Sequence, residues 1–314
     1  FFFQTNGKRF AKLSTTGSEY RTKKVNGKTY AFDERGVMVS EWAIASVASA
    51  NTSTASNWGY FNSPEDGARV TKGWFKVVPP NEDNTFDSNF SNGGAFDTKD
   101  ADDEDENWYY SNGDGTLETG KIKKIKGKYY GFAPEGNKAG SMLTGLCALT
   151  VNEKGEIETL WARDMDSDDL DDALKAEGDF AATTSHGAFG ASKYDTLYYF
   201  GNNEDSDGAL KTGSVSVNLD GDNYQFQFSK TGGSEGKGRG LNGIDDSKYI
   251  YKFGMKMKAD SEDKYKVVYA TGDTGNDNAV VEEIDTAKLR GKAEDATNKN
   301  KDGDTIKYVG SLEA

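Results

Sequence analysis

Apolar and polar residues alternate along this chain in short runs, each closed by a glycine-bearing turn. Residues 107–136 show the pattern most fully. Side chains on a strand point to opposite faces in turn, so Trp108 and Tyr110 share one face of a first strand. Asn112-Gly113 and Asp114-Gly115 follow with residue types suited to φ > 0. Residues 116–119 form a return strand that stops at Gly120. Residues 121–126, a turn at Gly127 and a strand with Tyr130 and Phe132 on one face complete the stretch. The pattern predicts two consecutive β-hairpins.

Parts of this stretch recur. Asn26-Gly27-Lys28-Thr29-Tyr30-Ala31-Phe32 and Asp220-Gly221-Asp222-Asn223-Tyr224-Gln225-Phe226 repeat its second half, and Asn6-Gly7-Lys8-Arg9-Phe10 is a shorter echo. In each copy an aromatic ring lies three residues after the turn glycine. The first half returns as Trp58-Gly59-Tyr60-Phe61, in a hairpin at 57–78, and as Tyr198-Tyr199-Phe200. Repetition in register predicts a repeat architecture. The predicted fold class is all-β, with β-hairpin repeats stacked as in a solenoid and a short helical insertion near 163–177. Met165, Leu170 and Leu174 supply the helical spacing there.

Three regions follow from the same pattern. Residues 1–146 form an N-terminal hairpin block with an acidic insertion at 79–106. Residues 147–193 form a non-repeat insertion, with a strand pair around 152–155. Residues 194–314 form a C-terminal hairpin block, in which Tyr249, Tyr251 and Phe253 share one face and Tyr265, Val267 and Tyr269 another. A short helix at 43–50 and a last strand at 306–309 complete the prediction.

Composition narrows the function. The chain has 314 residues and is 35% hydrophobic but 12% aromatic, which suits small hairpins buried through rings. A formal net charge of −14 argues against nucleic acid, which needs clustered Lys and Arg, and against an anionic membrane surface. The one cysteine, Cys147, excludes an internal disulfide and a cysteine-based zinc site. No run approaches the roughly 18 apolar residues that span a bilayer. The chain opens on Phe1-Phe2-Phe3 inside a repeat, and is expected to be part of a longer secreted protein.

Candidate chemistry is sparse. The run Asp100-Ala101-Asp102-Asp103-Glu104-Asp105-Glu106 reads as a solvated loop, since like charges repel and stay hydrated. Asp164, Asp166 and Asp168 imitate the start of a calcium loop, but Asp169 stands where Gly is needed and Lys175 where a carboxylate is needed. An Asp-rich helix start accounts for them better. Residues 232–240 lack the spacing of a phosphate loop. His186, the single histidine, lies in a polar loop. No nucleophile or zinc-protease motif is present, and 52 acidic residues make some carboxylate pair inevitable. The chain is read as non-catalytic, with no cofactor and no metal site.

WYY…DGTLETG followed by KIKGKYYGFAPEG resembles the cell-wall-binding repeats of Gram-positive surface proteins, which include choline-binding and glucan-binding types. The resemblance covers about 1–78, 107–146 and 194–230. It implies hairpin units of roughly twenty residues stacked on their neighbours. In choline-binding members a Gly-Trp of one repeat and rings of the next surround a quaternary ammonium by cation–π attraction. Gly73-Trp74 keeps that dipeptide and Glu41-Trp42 alters it. Elsewhere it is Gly120-Lys121, Gly145-Leu146 and Gly213-Ser214. The implied ligand-binding residues are Trp42, Trp58, Tyr60, Trp74, Trp108 and Tyr110. Each of these rings also has a packing role open to it.

The function so implied is a non-catalytic module that anchors a larger secreted protein to the cell surface by binding cell-wall polymer, either teichoic-acid choline or polysaccharide. The alternative is a structural or adhesive spacer that binds no wall ligand.

Overall fold

The computed structural model describes residues 1–12, 20–44, 55–80, 103–136, 138–185, 187–205, 207–259 and 266–284. They fall into two units. The first is Phe1–Leu143 with Glu156–Glu158; the second is Thr144–Gly155 with Thr159–Ala314. His186, Tyr265, the strand at 306–309 and positions 45–50 of the expected helix lie outside the described residues.

Unit one is a succession of antiparallel strand pairs. They are β1 (Arg21–Val25) with β2 (Lys28–Phe32), and β3 (Trp42–Ile44) with β4 (Trp58–Tyr60). Next come β5 (Gly73–Val77) with β6 (Asn107–Ser111), and β7 (Lys121–Ile125) with β8 (Lys128–Phe132). Turn chemistry explains the tight pairs. Asn26-Gly27 (φ 49° and 85°) and Lys126-Gly127 (φ 47° and 90°) hold both central residues at positive φ. That geometry matches the twist of the flanking strands.

The other two pairs correct the sequence reading. Trp108–Tyr110 is not the first strand of a hairpin but the second. β6 pairs with β5 across residues 78–106, with Trp74 opposite Tyr110 and Phe75 opposite Tyr109. Residues 116–119 make a single bridge, Ser111 to Leu117. Likewise β4 pairs back to β3, with Trp42 opposite Tyr60, so Ala43 and Ile44 are strand and not helix. Period-two alternation marks a strand without naming its partner.

A backbone ladder then joins each hairpin to its neighbour within the unit. After β3–β4, β5–β6 and β7–β8, a returning segment donates one N–H to the preceding hairpin and the next N–H to its own. Arg69 N reaches Thr29 O (2.8 Å) and Val70 N reaches Tyr60 O (2.8 Å). Leu117 N reaches Trp58 O (3.2 Å) and Glu118 N reaches Tyr110 O (2.9 Å). Met142 N reaches Trp108 O (2.7 Å) and Leu143 N reaches Gly131 O (2.9 Å). Stacked repeats gain most of their stability from such nearest-neighbour contacts.

Unit two holds β9 (Leu146–Val151), β11 (Asp195–Tyr199) and, from Thr159 onward, β10 (Ile157–Ala162), with β9 the central strand of the three. A further hairpin, β12 (Gly213–Leu219) with β13 (Asp222–Phe228), turns at Asp220-Gly221, both at positive φ. The ladder recurs here. Gly240 N bonds Leu197 O (2.9 Å) and Leu241 N bonds Gln227 O (3.1 Å). β14 (Gly243–Asp245), β15 (Tyr249–Lys252) and β16 (Met255–Lys256) extend the sheet in the order β12-β13-β16-β15-β14. β17 (Val268–Thr271) pairs with β18 (Val280–Glu283). Phe253 stands at φ 49° and leaves the strand, so it does not continue the face of Tyr249 and Tyr251. Tyr251 and Phe253 are buried, whereas Tyr249 is exposed under the Lys256 ammonium.

The expected helix is present as α1 (Ser167–Lys175). Asp166 caps it, its carboxylate accepting from Asp169 N at 2.9 Å. The Asp cluster thus does helix-start work. Leu170 packs with Met165, Phe180, Leu197 and Phe226 in the core of unit two. The core of unit one is built from Trp58, Phe75, Tyr109 and Leu117.

Candidate ligand-binding seams

Two ring clusters form where consecutive hairpins of unit one meet. In the β5–β6 pair, alternation sends Phe75 and Tyr109 inward, at 9% and 0% exposure. Trp74, Trp108 and Tyr110 lie on the other face, half-buried. Trp74 is the hub. Its ring lies 5.1 Å from Tyr110 and 6.4 Å from Trp108, both edge-on. It also meets the next hairpin: Tyr130 at 4.9 Å edge-on and Phe132 at 5.7 Å stacked. Edge-on and offset rings are the arrangements their quadrupoles favour.

The seam one repeat earlier gathers Trp42 and Tyr60, 5.4 Å apart. Tyr60 stacks on Phe75 at 4.8 Å, and Trp42 meets Phe75 and Tyr109 edge-on at 5.7 and 5.0 Å. Trp42 Nε1 donates to Val78 O at 2.8 Å, which orients the indole. Burial, and then the charges of Glu41 and Glu106, push the Tyr60 hydroxyl above its usual range. Those two carboxylates make the potential beside this seam negative, which favours a cation.

The six residues implied by the resemblance are therefore divided. Trp42 and Tyr60 share one seam; Trp74, Trp108 and Tyr110 share the next. Trp58 is 3% exposed and packs in the core with Phe75 and Tyr109. Two rings that belong to the second seam, Tyr130 and Phe132, were legible only as packing residues. Their spacing after Gly127 gives the strand face but not the neighbour that face meets.

Sequence reasoning also missed Glu118. It is 1% exposed and forms ion pairs with Lys121 (2.8 Å) and Lys123. Burial alone would raise its pKa. The hydrogen bonds and charges of the two lysines outweigh burial, and the carboxyl sits below its ordinary 4.5. Cys147 is fully buried on β9, opposite Tyr198 of β11, its Sγ donating to Thr144 O at 3.2 Å. Burial pushes this thiol up to about 12. Among the described residues, no group of three or more His, Cys, Asp or Glu is placed to hold a metal ion. No helix among them is long and apolar enough to cross a membrane.

No family model and no curated protein matches the sequence. Among solved structures the chain is similar to choline binding protein F from Streptococcus pneumoniae, at 19% identity and a TM-score of 0.25. That match covers 76% of this chain and 57% of the other, so the chain spans less than two thirds of that structure. It is also similar to CbpJ from Streptococcus pneumoniae TIGR4, at 16% identity and a TM-score of 0.27, covering 79% and 90% of the two chains. The choline binding domain of Spr1274 from Streptococcus pneumoniae matches at 22% identity and a TM-score of 0.21, covering 40% and 98%.

Proposed function

We propose that this chain is a non-catalytic cell-wall-binding repeat module that anchors a larger secreted protein to the bacterial surface. The observation that carries the reading is the seam around Trp74. There, half-buried rings of β5 and β6 meet rings of β8, so two neighbouring hairpins together form an aromatic wall. Such a wall holds a quaternary ammonium over ring faces, or stacks on the face of a sugar. The Trp42–Tyr60 seam adds the nearby negative charge of Glu41 and Glu106, which favours a cation. The ligand class is teichoic-acid choline first, and wall polysaccharide second.

The test is retention of the chain on purified Gram-positive cell walls, with and without excess choline. Retention that choline reverses supports the cation reading. Retention that choline leaves intact reassigns the seams to glycan.

A spacer that binds no wall ligand is the second reading, and one observation favours it. Where Gly-Trp is replaced, the substitute side chain has a partner within the protein or is buried. Lys121 pairs with Glu118, Leu146 is 1% exposed, and Ser214 donates to Gln227 Oε1 at 2.6 Å. Absence of retention would select this reading.

A further inference from the structure

A separate cleft of about 640 Å³ lies wholly within unit two. Its walls are the turn at 190–195 before β11, the loop at 229–242 after β13, and the β17–β18 turn at 274–280. Pockets of several hundred Å³ accommodate small organic ligands. Hydroxyl and amide groups such as Ser192, Thr231, Thr274 and Asn278 share its lining with glycines, with apolar Leu241 and Phe253, and with charged side chains.

Its charges are arranged unevenly. Arg239 is the most enclosed cation, with its side chain 22% exposed. Of the five N–H groups a guanidinium carries, one donates within the described residues, from Nη2 to the Lys193 carbonyl. Nε is buried without a hydrogen-bond partner. Nη1 lies 3.9 Å from Asp277, a carboxylate that is 76% exposed, and so exposed a pair at that distance binds weakly. Lys193 is a second cation on the wall, half-exposed over the Tyr194 ring at 4.8 Å and 3.6 Å from the exposed Glu153 carboxylate.

The acids are engaged or peripheral. Asp195 accepts from Gly190 N, Ser192 N and the Thr150 hydroxyl. Glu153, 76% exposed, accepts from the Tyr194 hydroxyl at 2.6 Å. The cleft thus holds two cations beside three carboxylates, and one of the cations, Arg239, is under-bonded.

We propose that this cleft binds a carboxylate-bearing saccharide. The planar guanidinium of Arg239 matches a carboxylate in shape and charge, Lys193 adds a second positive group, and the hydroxyl and amide side chains on the wall can bond the hydroxyls of a sugar. The inference is independent of the wall-binding seams, which lie in unit one.

The experiment is a backbone-amide NMR titration of the full chain with digalacturonate, with neutral digalactose and with sodium acetate. Digalacturonate is expected to shift the amides of Gly190, Lys193, Arg239 and Asn276 in a saturable way. Digalactose and acetate should each bind at least tenfold more weakly. Lys193→Gln, at a half-exposed side chain, should weaken digalacturonate at least fivefold. Arg239→Gln should abolish binding if it folds. Absence of shifts at these amides with digalacturonate overturns the proposal. Equal affinity for digalactose overturns the role of the carboxylate, and equal affinity for acetate overturns the saccharide.

Discussion

Glu118 stays charged at 1% exposure because two lysines reach it. Its folded pKa lies below its ordinary value. The group therefore stabilises the fold above pH of about 4.5, and that contribution is lost as pH falls through the folded value. Glu118→Gln should cost about 1–3 kcal/mol at pH 7. The difference from wild type should shrink on acidification, as thermal melts between pH 7 and pH 3 would record. A constant difference would mean that the lysines do not hold the carboxylate charged. Cys147 tests the same physics in the opposite direction. A buried thiol pushed up to about 12 carries almost no thiolate at neutral pH. Native protein at pH 8 should not react with a disulfide reagent over an hour, whereas unfolded protein should release one equivalent. Neither group was legible in the sequence, because burial depends on which segments pack over it.

At the scale of elements, turns were legible and pairings were not. Asn26-Gly27 and Asp220-Gly221 announce tight hairpins because few other residue pairs tolerate two positive φ values in succession, and at 126–127 the glycine alone marks the turn. At Gly127 an added Cβ meets no atom within 4 Å, so substitution there acts through backbone conformation alone. Gly127→Ala should cost about 1–2 kcal/mol, read as a shifted denaturation midpoint with an unchanged slope. α1 was equally legible, since Met165, Leu170 and Leu174 give the spacing and Asp166 the cap. The partner of β6 was not. An NGDG turn directly after Trp108–Tyr110 invites a local return, yet β6 pairs with β5 on the far side of residues 78–106. Local chemistry writes turns into a sequence; long-range pairing is decided by which ring face finds a core.

For the whole molecule, three returning segments in unit one and one in unit two bond both their own hairpin and the one before it. That rule makes neighbouring hairpins adjacent in space. It also explains why five of the six candidate residues divide between two seams instead of surrounding one site, while Trp58 packs in the core. The sequence carried the ring positions and the glycine-marked turns. It did not carry the meeting of Trp74 with Tyr130, because that contact depends on the stacking of separate hairpins. The central claim is that ligand is held in such a seam. Wall retention of Trp74→Ala tests it most directly, with circular dichroism recorded on the same sample. Retention should fall at least tenfold while the spectrum stays that of the wild type. Undiminished retention by a folded Trp74→Ala chain would contradict the account.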